Sequence, residues 1–205
     1  MATSNLPPYL SDNGPVRLEF PVGVAYDRDI ASLLSNEVAM ANLVAMSKKS
    51  SGGWSETDAR IRRNRQEKEF SEGLSLNGVV LYENEFAGIA GFRDINSWNK
   101  SAEMGIILDP KFWHKGISTR AHFLCLEYAY EIAGINRVEF KTASSNTAMR
   151  KFCIDTLQAT HEGTLRDYFP TGTIENTYEN VELYSILAAE WPALRRRLEE
   201  KIGLI

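Results

Sequence analysis

The sequence predicts a single α/β domain in which a mixed sheet is flanked by helices. Strand-like and helix-like spacings of apolar residues alternate along most of the chain, and one long helical segment separates two strands, as in a βαβ crossover. Of the 205 residues, 43% are hydrophobic, which is typical of a folded domain with a substantial core. We assign residues 16–205 to the domain. Residues 1–15 carry turn-forming residues without periodicity and are expected to form a loosely ordered N-terminal arm.

The first half of this domain is predicted to contain a strand, two helices and a hairpin. Apolar residues alternate with charged ones in the first strand, at Val16, Leu18 and Phe20. A helix follows, whose apolar face begins at Ile30. Ser55 and Asp58 are spaced as a capping box and open a second, very polar helix. Two apolar runs, residues 79–83 and 86–93, meet at a turn and predict the hairpin.

The second half is predicted to alternate strands with helices. A strand over residues 102–108 stops before Pro110, because proline cannot donate to a strand ladder. Helical spacing predicts a long helix over residues 117–133 that ends at Gly134, and the final helix carries Pro192 in its first turn. A short helix is expected where Met149, Phe152, Cys153 and Leu157 follow helical spacing. The remaining strands are expected at residues 138–142, 163–169 and 178–187.

Composition and charge exclude several classes of function. The formal net charge is −4, so neither a nucleic-acid footprint nor a polybasic membrane patch is expected. No apolar run approaches the about 18 residues of a membrane span, and residues 1–15 do not resemble a signal peptide. Cys125 and Cys153 are predicted to be buried thiols in a reducing compartment. We therefore expect a cytoplasmic protein with neither nucleic-acid nor membrane partners.

The strongest chemical signal is the turn between the strand over residues 102–108 and the long helix. The strand ends before Pro110, and the helix opens at a cluster of small residues, Gly116 to Thr119. The first turn of a helix has unpaired N–H groups and the positive end of the helix dipole, and glycine permits close approach to the backbone. This turn is suited to a phosphate or pyrophosphate. The alternative is that the glycine merely serves a tight turn.

Other site patterns are excluded. The chain contains neither a Walker loop nor a GxGxxG fingerprint, and Arg120 stands where a GxSxG nucleophile elbow requires glycine. His114, His122 and His161 lack the spacing of metal ligands, so no metal is expected.

Several segments resemble one known family. Residues 102–121, AEMGIILDPKFWHKGISTRA, resemble the AEIGYWLDP…YWGKGIATEA signature of the RimJ/RimL-like branch of the GNAT N-acetyltransferases. Further likenesses follow in order at residues 137–141, Asn146, 162–168 and 183–191, and together they cover residues 16–191. The resemblance implies the GNAT fold, in which a mostly antiparallel sheet is splayed at a central parallel strand pair.

The resemblance also implies acetyl-CoA as cosubstrate and a set of cofactor-binding residues. The backbone of Ile106, Ile107 and Leu108 would pair with the pantetheine arm, and an N–H near Ile107 would stabilise the oxyanion. Asn146 would hydrogen-bond the arm. The amides expected to hold the pyrophosphate are those of His114, Lys115, Gly116, Ile117, Ser118 and Thr119.

Catalysis requires a neutral amine, because an ammonium has no lone pair to attack the thioester. An amine with a pKa near 10 must lose a proton to a general base or to a water chain. Two carboxylates match acidic positions of the family, Glu103 and Asp167. Either is a candidate base, and each could instead be a solvent-facing strand carboxylate.

Protonation of the departing thiolate is where the chain departs from the family. Met149 stands at a position where relatives carry serine, and methionine cannot donate a proton. Tyr184 is the favoured substitute, and Tyr168 and Cys153 are alternatives. No nucleophile–base pair is visible, so we expect direct transfer without a covalent enzyme intermediate.

The identity of the acceptor stays open at this point. We favour a small-molecule primary amine, such as an amino acid, a polyamine or a toxic natural product. The alternatives are a protein N-terminus, as in the ribosomal branch, and a non-catalytic acyl-CoA-binding module. Trp54 and Trp98 lie in predicted loops, where they could line the acceptor pocket, join two copies in a homodimer or simply pack.

Overall fold

A computed structural model describes residues 9–43, 53–171 and 177–205. Its eight strands form one sheet in the order β1-β2-β3-β4-β5-β6-β8-β7, and β5 and β6 are the parallel pair. The strands are β1 (Tyr9–Ser11), β2 (Val16–Glu19), β3 (Leu76–Tyr82), β4 (Glu85–Asn96), β5 (Ser101–Leu108), β6 (Arg137–Ala143), β7 (Thr160–Pro170) and β8 (Tyr178–Leu187). The helices are α1 (Asp27–Ser35), α2 (Glu37–Met40), α3 (Glu56–Ser71), α4 (Ile117–Glu127), α5 (Thr147–Lys151) and α6 (Trp191–Ile202). The mixed sheet flanked by helices confirms the predicted fold class.

Helices cover both faces of the sheet. Because side chains alternate along a strand, Ala102 and Met104 of β5 point to one face, where they join a core with residues of α4 and α6. Ile107 points to the other face, where it joins a second core with Ile89 and residues of α1. We call these the α4 face and the α1 face.

The structure confirms the predicted features that depend on a few neighbouring residues, namely the helix caps and the hairpin turn. Ser55 and Asp58 form the capping box at the start of α3. Glu83 and Asn84 both take left-handed backbone conformations, as a tight hairpin between β3 and β4 requires. Pro192 lies in the first turn of α6. The long predicted helix is present, but its last turn, Tyr128–Ile132, is π-helical before Gly134 turns the chain with φ +66°.

The segment before residue 16 differs from the expected loose arm where the structure describes it. β1 pairs antiparallel with β2, which places a short strand at the edge of the sheet. Asp12 is buried and bonds the guanidinium of Arg120 on α4, and the same guanidinium donates to the carbonyl of Ile202. Residues 1–8 lie outside the described residues. Within the described part of the chain, no helix is both long and apolar enough to cross a membrane.

Candidate active site

The central feature of the candidate site is a gap between β5 and β6. The two strands pair over three residues only, and the last pair joins Glu103 to Glu139. Past that pair, β5 pairs only with β4 and runs on to Leu108. The strands therefore diverge toward the start of α4, as expected from the family resemblance.

The ladder between β4 and β5 determines which backbone groups face this gap. The amide of Asp109 donates to the carbonyl of Ala87 at 2.9 Å. Because hydrogen-bonded and non-hydrogen-bonded pairs alternate in an antiparallel ladder, the peptide groups of Ile107 point to β4. Those of Ile106 and Leu108 point into the gap. The expected N–H near Ile107 is therefore that of Ile106 or Leu108.

Trp113 fixes the loop that closes the gap. Its indole Nε1 donates to the carbonyl of Leu108 at 3.0 Å. Because its carbonyl is bonded to Trp113, Leu108 offers only its N–H to the gap, whereas Ile106 offers both its N–H and its C=O. The loop carrying the family signature is thereby tied to the end of β5.

The start of α4 has the properties that an anion site needs. Gly116 is the N-cap residue, and no side chain caps the helix. The first helical hydrogen bond reaches back from Arg120 to Gly116, so the amides of residues 117–119 have no partner within the helix. Residue 116 has φ +76°, a left-handed conformation that favours glycine whatever surrounds it. A Cβ at this position would meet no atom within 4 Å. The turn thus requires glycine by its conformation, and the space beside its Cα is open.

Asn146 lies on the β6 side of the gap, at the start of α5. Its Oδ1 accepts from the amide of Met149 at 3.1 Å, which caps the helix. The Nδ2 group remains able to donate. The side chain of Met149 is partly buried and packs against the core on the α4 face.

Glu103 is buried on the α1 face, 5% exposed, between two cations. It accepts from Arg93 Nε at 2.9 Å and from Lys141 Nζ at 2.9 Å. Burial is the largest single influence on the pKa of Lys141 and lowers it, but the hydrogen bond to Glu103 and the nearby negative charges together outweigh burial, so the pKa of Lys141 is raised. Lys141 therefore stays cationic, and the Glu103 carboxylate is held between it and Arg93.

The other candidates for proton transfer lie on β7 and β8. Asp167 is exposed in a bulge of β7, with φ +50°, and its amide donates to Asn180 Oδ1 at 2.9 Å. Tyr168 is 46% exposed and close enough to Lys141 to influence its pKa. Tyr184 is 1% exposed and belongs to the core on the α4 face. Tyr168 is thus linked to the group around Glu103, whereas Tyr184 lies on the opposite face of the sheet.

Both cysteines are free and buried, as predicted. Burial raises the pKa of the Cys153 thiol to about 12, so this thiol holds its proton firmly near neutral pH. Among the described residues, no group of three or more His, Cys, Asp or Glu side chains is placed to hold a metal ion.

Sequence reasoning missed four residues of this region: Arg93, Gly105, His122 and Lys141. The alternation along β6 could have placed Lys141 on the face of Glu139, but nothing in the sequence shows that it reaches Glu103, 38 residues away. His122 had been tested only for metal-ligand spacing.

A model of the acetyltransferase (GNAT) domain matches residues 22–154. The chain belongs to the GNAT acetyltransferase family. It is therefore an acetyltransferase, and acetyl-CoA is the donor that this family uses. The match covers the gap, the start of α4 and Asn146.

Named relatives agree with the family. "Uncharacterized N-acetyltransferase p20" of Bacillus licheniformis is 31% identical over 126 residues, which is 58% of this chain and 68% of p20. "Putative ribosomal N-acetyltransferase YdaF" of Bacillus subtilis strain 168 is 29% identical over 119 residues, which is 57% of this chain and 63% of YdaF.

Two solved structures show how widely this fold is used. Mycobacterium smegmatis RimJ, solved with a CoA disulfide, superposes with a TM-score of 0.76 at 20% identity, over 96% of this chain and 93% of RimJ. The microcin C7 self-immunity acetyltransferase MccE, solved with acetyl-CoA and AMP, gives 0.72 at 19% identity, over 87% of this chain and 98% of MccE. At these identities the likeness shows the GNAT fold.

Proposed function

We propose that this protein transfers the acetyl group of acetyl-CoA directly to the primary amine of a small molecule. The observation that carries the proposal is the gap between β5 and β6, which leads from the paired end at Glu103 to the uncapped start of α4. The open space before Gly116 and the free backbone groups of Ile106 and Leu108 fit a long, thin ligand with an anionic end.

Different residues around the gap would bind different parts of acetyl-CoA. The amides from His114 to Thr119 would hold the pyrophosphate, where the helix dipole favours negative charge. The N–H groups of Ile106 and Leu108 and the Nδ2 group of Asn146 would bind the pantetheine arm. When bound, acetyl-CoA supplies the activated acetyl thioester. An N–H of β5 would stabilise the negative charge that develops on the carbonyl oxygen.

The acceptor would approach from the α1 face. Gly105 is exposed there, two residues beyond Glu103, and a Cβ on Gly105 would meet no atom within 4 Å. The protein's own packing therefore does not require glycine at this position. We infer that this open space receives the amine, beside the group formed by Arg93, Glu103 and Lys141.

Proton transfer would involve the candidates predicted from the sequence. Glu103 lies nearest to the open space at Gly105 along β5, and Asp167 is the exposed alternative on β7. For the departing thiolate, Tyr184 lies on the α4 face, and Tyr168 is its rival on the α1 face. The absence of an activated nucleophile among the described residues favours direct transfer.

The main alternative acceptor is a protein N-terminus, and the similarity to YdaF favours it. A mass-spectrometric screen separates the two. Wild-type protein and acetyl-CoA are incubated with a pool of small amines and with a pool of N-terminal peptides. Acetylation confined to small amines supports the proposal, and acetylation confined to peptides contradicts it. Binding of acetyl-CoA without transfer to any member of either pool would favour a non-catalytic acyl-CoA-binding module.

Gly105→Val tests the side of approach. Valine adds bulk on the α1 face, and its Cβ would meet no atom within 4 Å, so the fold and acetyl-CoA affinity should be preserved while turnover falls by at least about 10-fold. Thermal melting and calorimetry provide the controls. Normal turnover in a folded Gly105→Val variant would show that the acceptor does not pass this position.

A further inference from the structure

His122 is a fully buried histidine in the second turn of α4 with one unpartnered ring nitrogen. Its Nδ1 lies 2.7 Å from the carbonyl oxygen of Ser118, so Nδ1 carries the proton and donates it. Nε2 is consequently an acceptor, and it has no hydrogen-bond partner among the described residues. Folded proteins seldom leave a buried polar atom in this condition, because its desolvation is not compensated.

The surroundings of His122 keep its ring neutral. Its ring centroid is 6.0 Å from that of Phe140 on β6 and 4.8 Å from that of Phe152, in the turn after α5. This burial lowers the pKa of His122 to about 4. Near neutral pH, Nε2 therefore presents a lone pair to the interior and would be matched by an N–H or O–H donor.

The position of His122 relates it to the gap. Phe140 directly follows Glu139, the last β6 residue that pairs with β5, and it points to the α4 face. His122 therefore lies over the point where the strands begin to diverge. It is also four residues beyond Ser118, about 6 Å along the helix from the turn proposed to hold the pyrophosphate.

We propose that Nε2 of His122 accepts a hydrogen bond from an amide N–H of the pantetheine arm. The proposal rests on the proposed acetyl-CoA site. The arm contains two secondary amides, each with one N–H donor and one carbonyl acceptor. Ile106, Leu108 and Asn146 offer N–H donors for its carbonyls. The C=O of Ile106 offers one acceptor for its two N–H groups, and Nε2 of His122 offers a second. Phe152 is partly buried and packs on the ring, so the arm would reach Nε2 by displacing this side chain.

Two substitutions test the contact by calorimetry. His122→Leu replaces the acceptor with an apolar side chain, whereas His122→Gln replaces it with an amide oxygen that can still accept a hydrogen bond. Each variant is titrated with CoA and with adenosine 3′,5′-bisphosphate, which has the nucleotide without the arm. We expect His122→Leu to weaken CoA binding by about 10-fold and to leave bisphosphate binding unchanged, with His122→Gln closer to the wild type.

The outcomes separate this inference from the proposed function. If wild-type protein binds CoA and His122→Leu binds it equally well, the contact does not exist, and a buried water is the partner of Nε2. If wild-type protein fails to bind CoA, the proposed site itself fails. Imidazole ¹⁵N NMR of wild-type protein covers the case in which His122→Leu does not fold. The Nε2 resonance should shift on adding CoA but not on adding the bisphosphate, and no shift with either would overturn the proposal.

Discussion

The buried ring of His122 should make the stability of the protein depend on pH in a defined window. The pKa of His122 is about 4 in the folded protein and about 6.5 when the residue is exposed on unfolding. Between these values the unfolded chain binds a proton that the folded chain does not bind. Stability is therefore fully present above pH 6.5 and is lost as the pH falls toward 4.

The size of this loss follows from the two pKa values. They differ by about 2.5 pH units, and each unit corresponds to about 1.4 kcal/mol, so the full effect is about 3 kcal/mol. Most of it should be lost by pH 4.5. For a domain of this size, that is a large share of a typical free energy of unfolding.

Urea unfolding of wild-type protein and of His122→Leu, each at pH 7.5 and pH 4.5, measures the effect. All other titratable groups are common to the two proteins, so their contributions cancel in the comparison. The wild type should lose about 2 to 3 kcal/mol more than the variant between the two pH values. Equal losses in the two proteins would refute the reasoning and would mean that the ring is solvated in the folded state.

Three further predictions concern the candidate site. Gly116→Asp places an anion at the start of α4 and should weaken acetyl-CoA binding at least about 10-fold by calorimetry, and unchanged affinity in a folded variant would exclude this turn as the pyrophosphate site. Glu103→Gln or Asp167→Asn should lower turnover about 10²- to 10⁴-fold at constant cofactor affinity, and near-normal rates in both across pH would indicate that solvent takes the proton. Tyr184→Phe should lower turnover about 10-fold or more at an unchanged melting temperature, whereas wild-type turnover would leave the thiolate unassisted or assign its proton to another group.

The sequence predicted those parts of the fold that depend on near neighbours. The capping box at Ser55 and the turn at Glu83 and Asn84 are determined within a few residues, and both are confirmed. β1 was missed because a three-residue strand has too little periodicity to recognise and depends on pairing with β2. The π-helical turn after α4 has no sequence pattern that distinguishes it from a continuing helix.

The candidate site was predictable to the extent that it lies in one continuous segment. The start of α4 follows from residues 102–121 alone. The partners of Glu103 do not, because Arg93 reaches it across a strand pair and Lys141 across a parallel pair. The orphan nitrogen of His122 depends equally on Phe140 and Phe152, which only the folded chain brings beside it.

The short β5–β6 ladder has a consequence for amide hydrogen exchange. Three residue pairs join strands β1–β5 to strands β6–β8, so the sheet consists of two blocks with a narrow seam. Along the free end of β5, protection should alternate residue by residue: the Ile107 amide is held by β4, while those of Ile106 and Leu108 face the gap. If CoA binds in the gap, these two amides should exchange more slowly when CoA is added without an acceptor. Such slowing would show that the ligand forms the hydrogen bonds that β6 does not make along this part of β5.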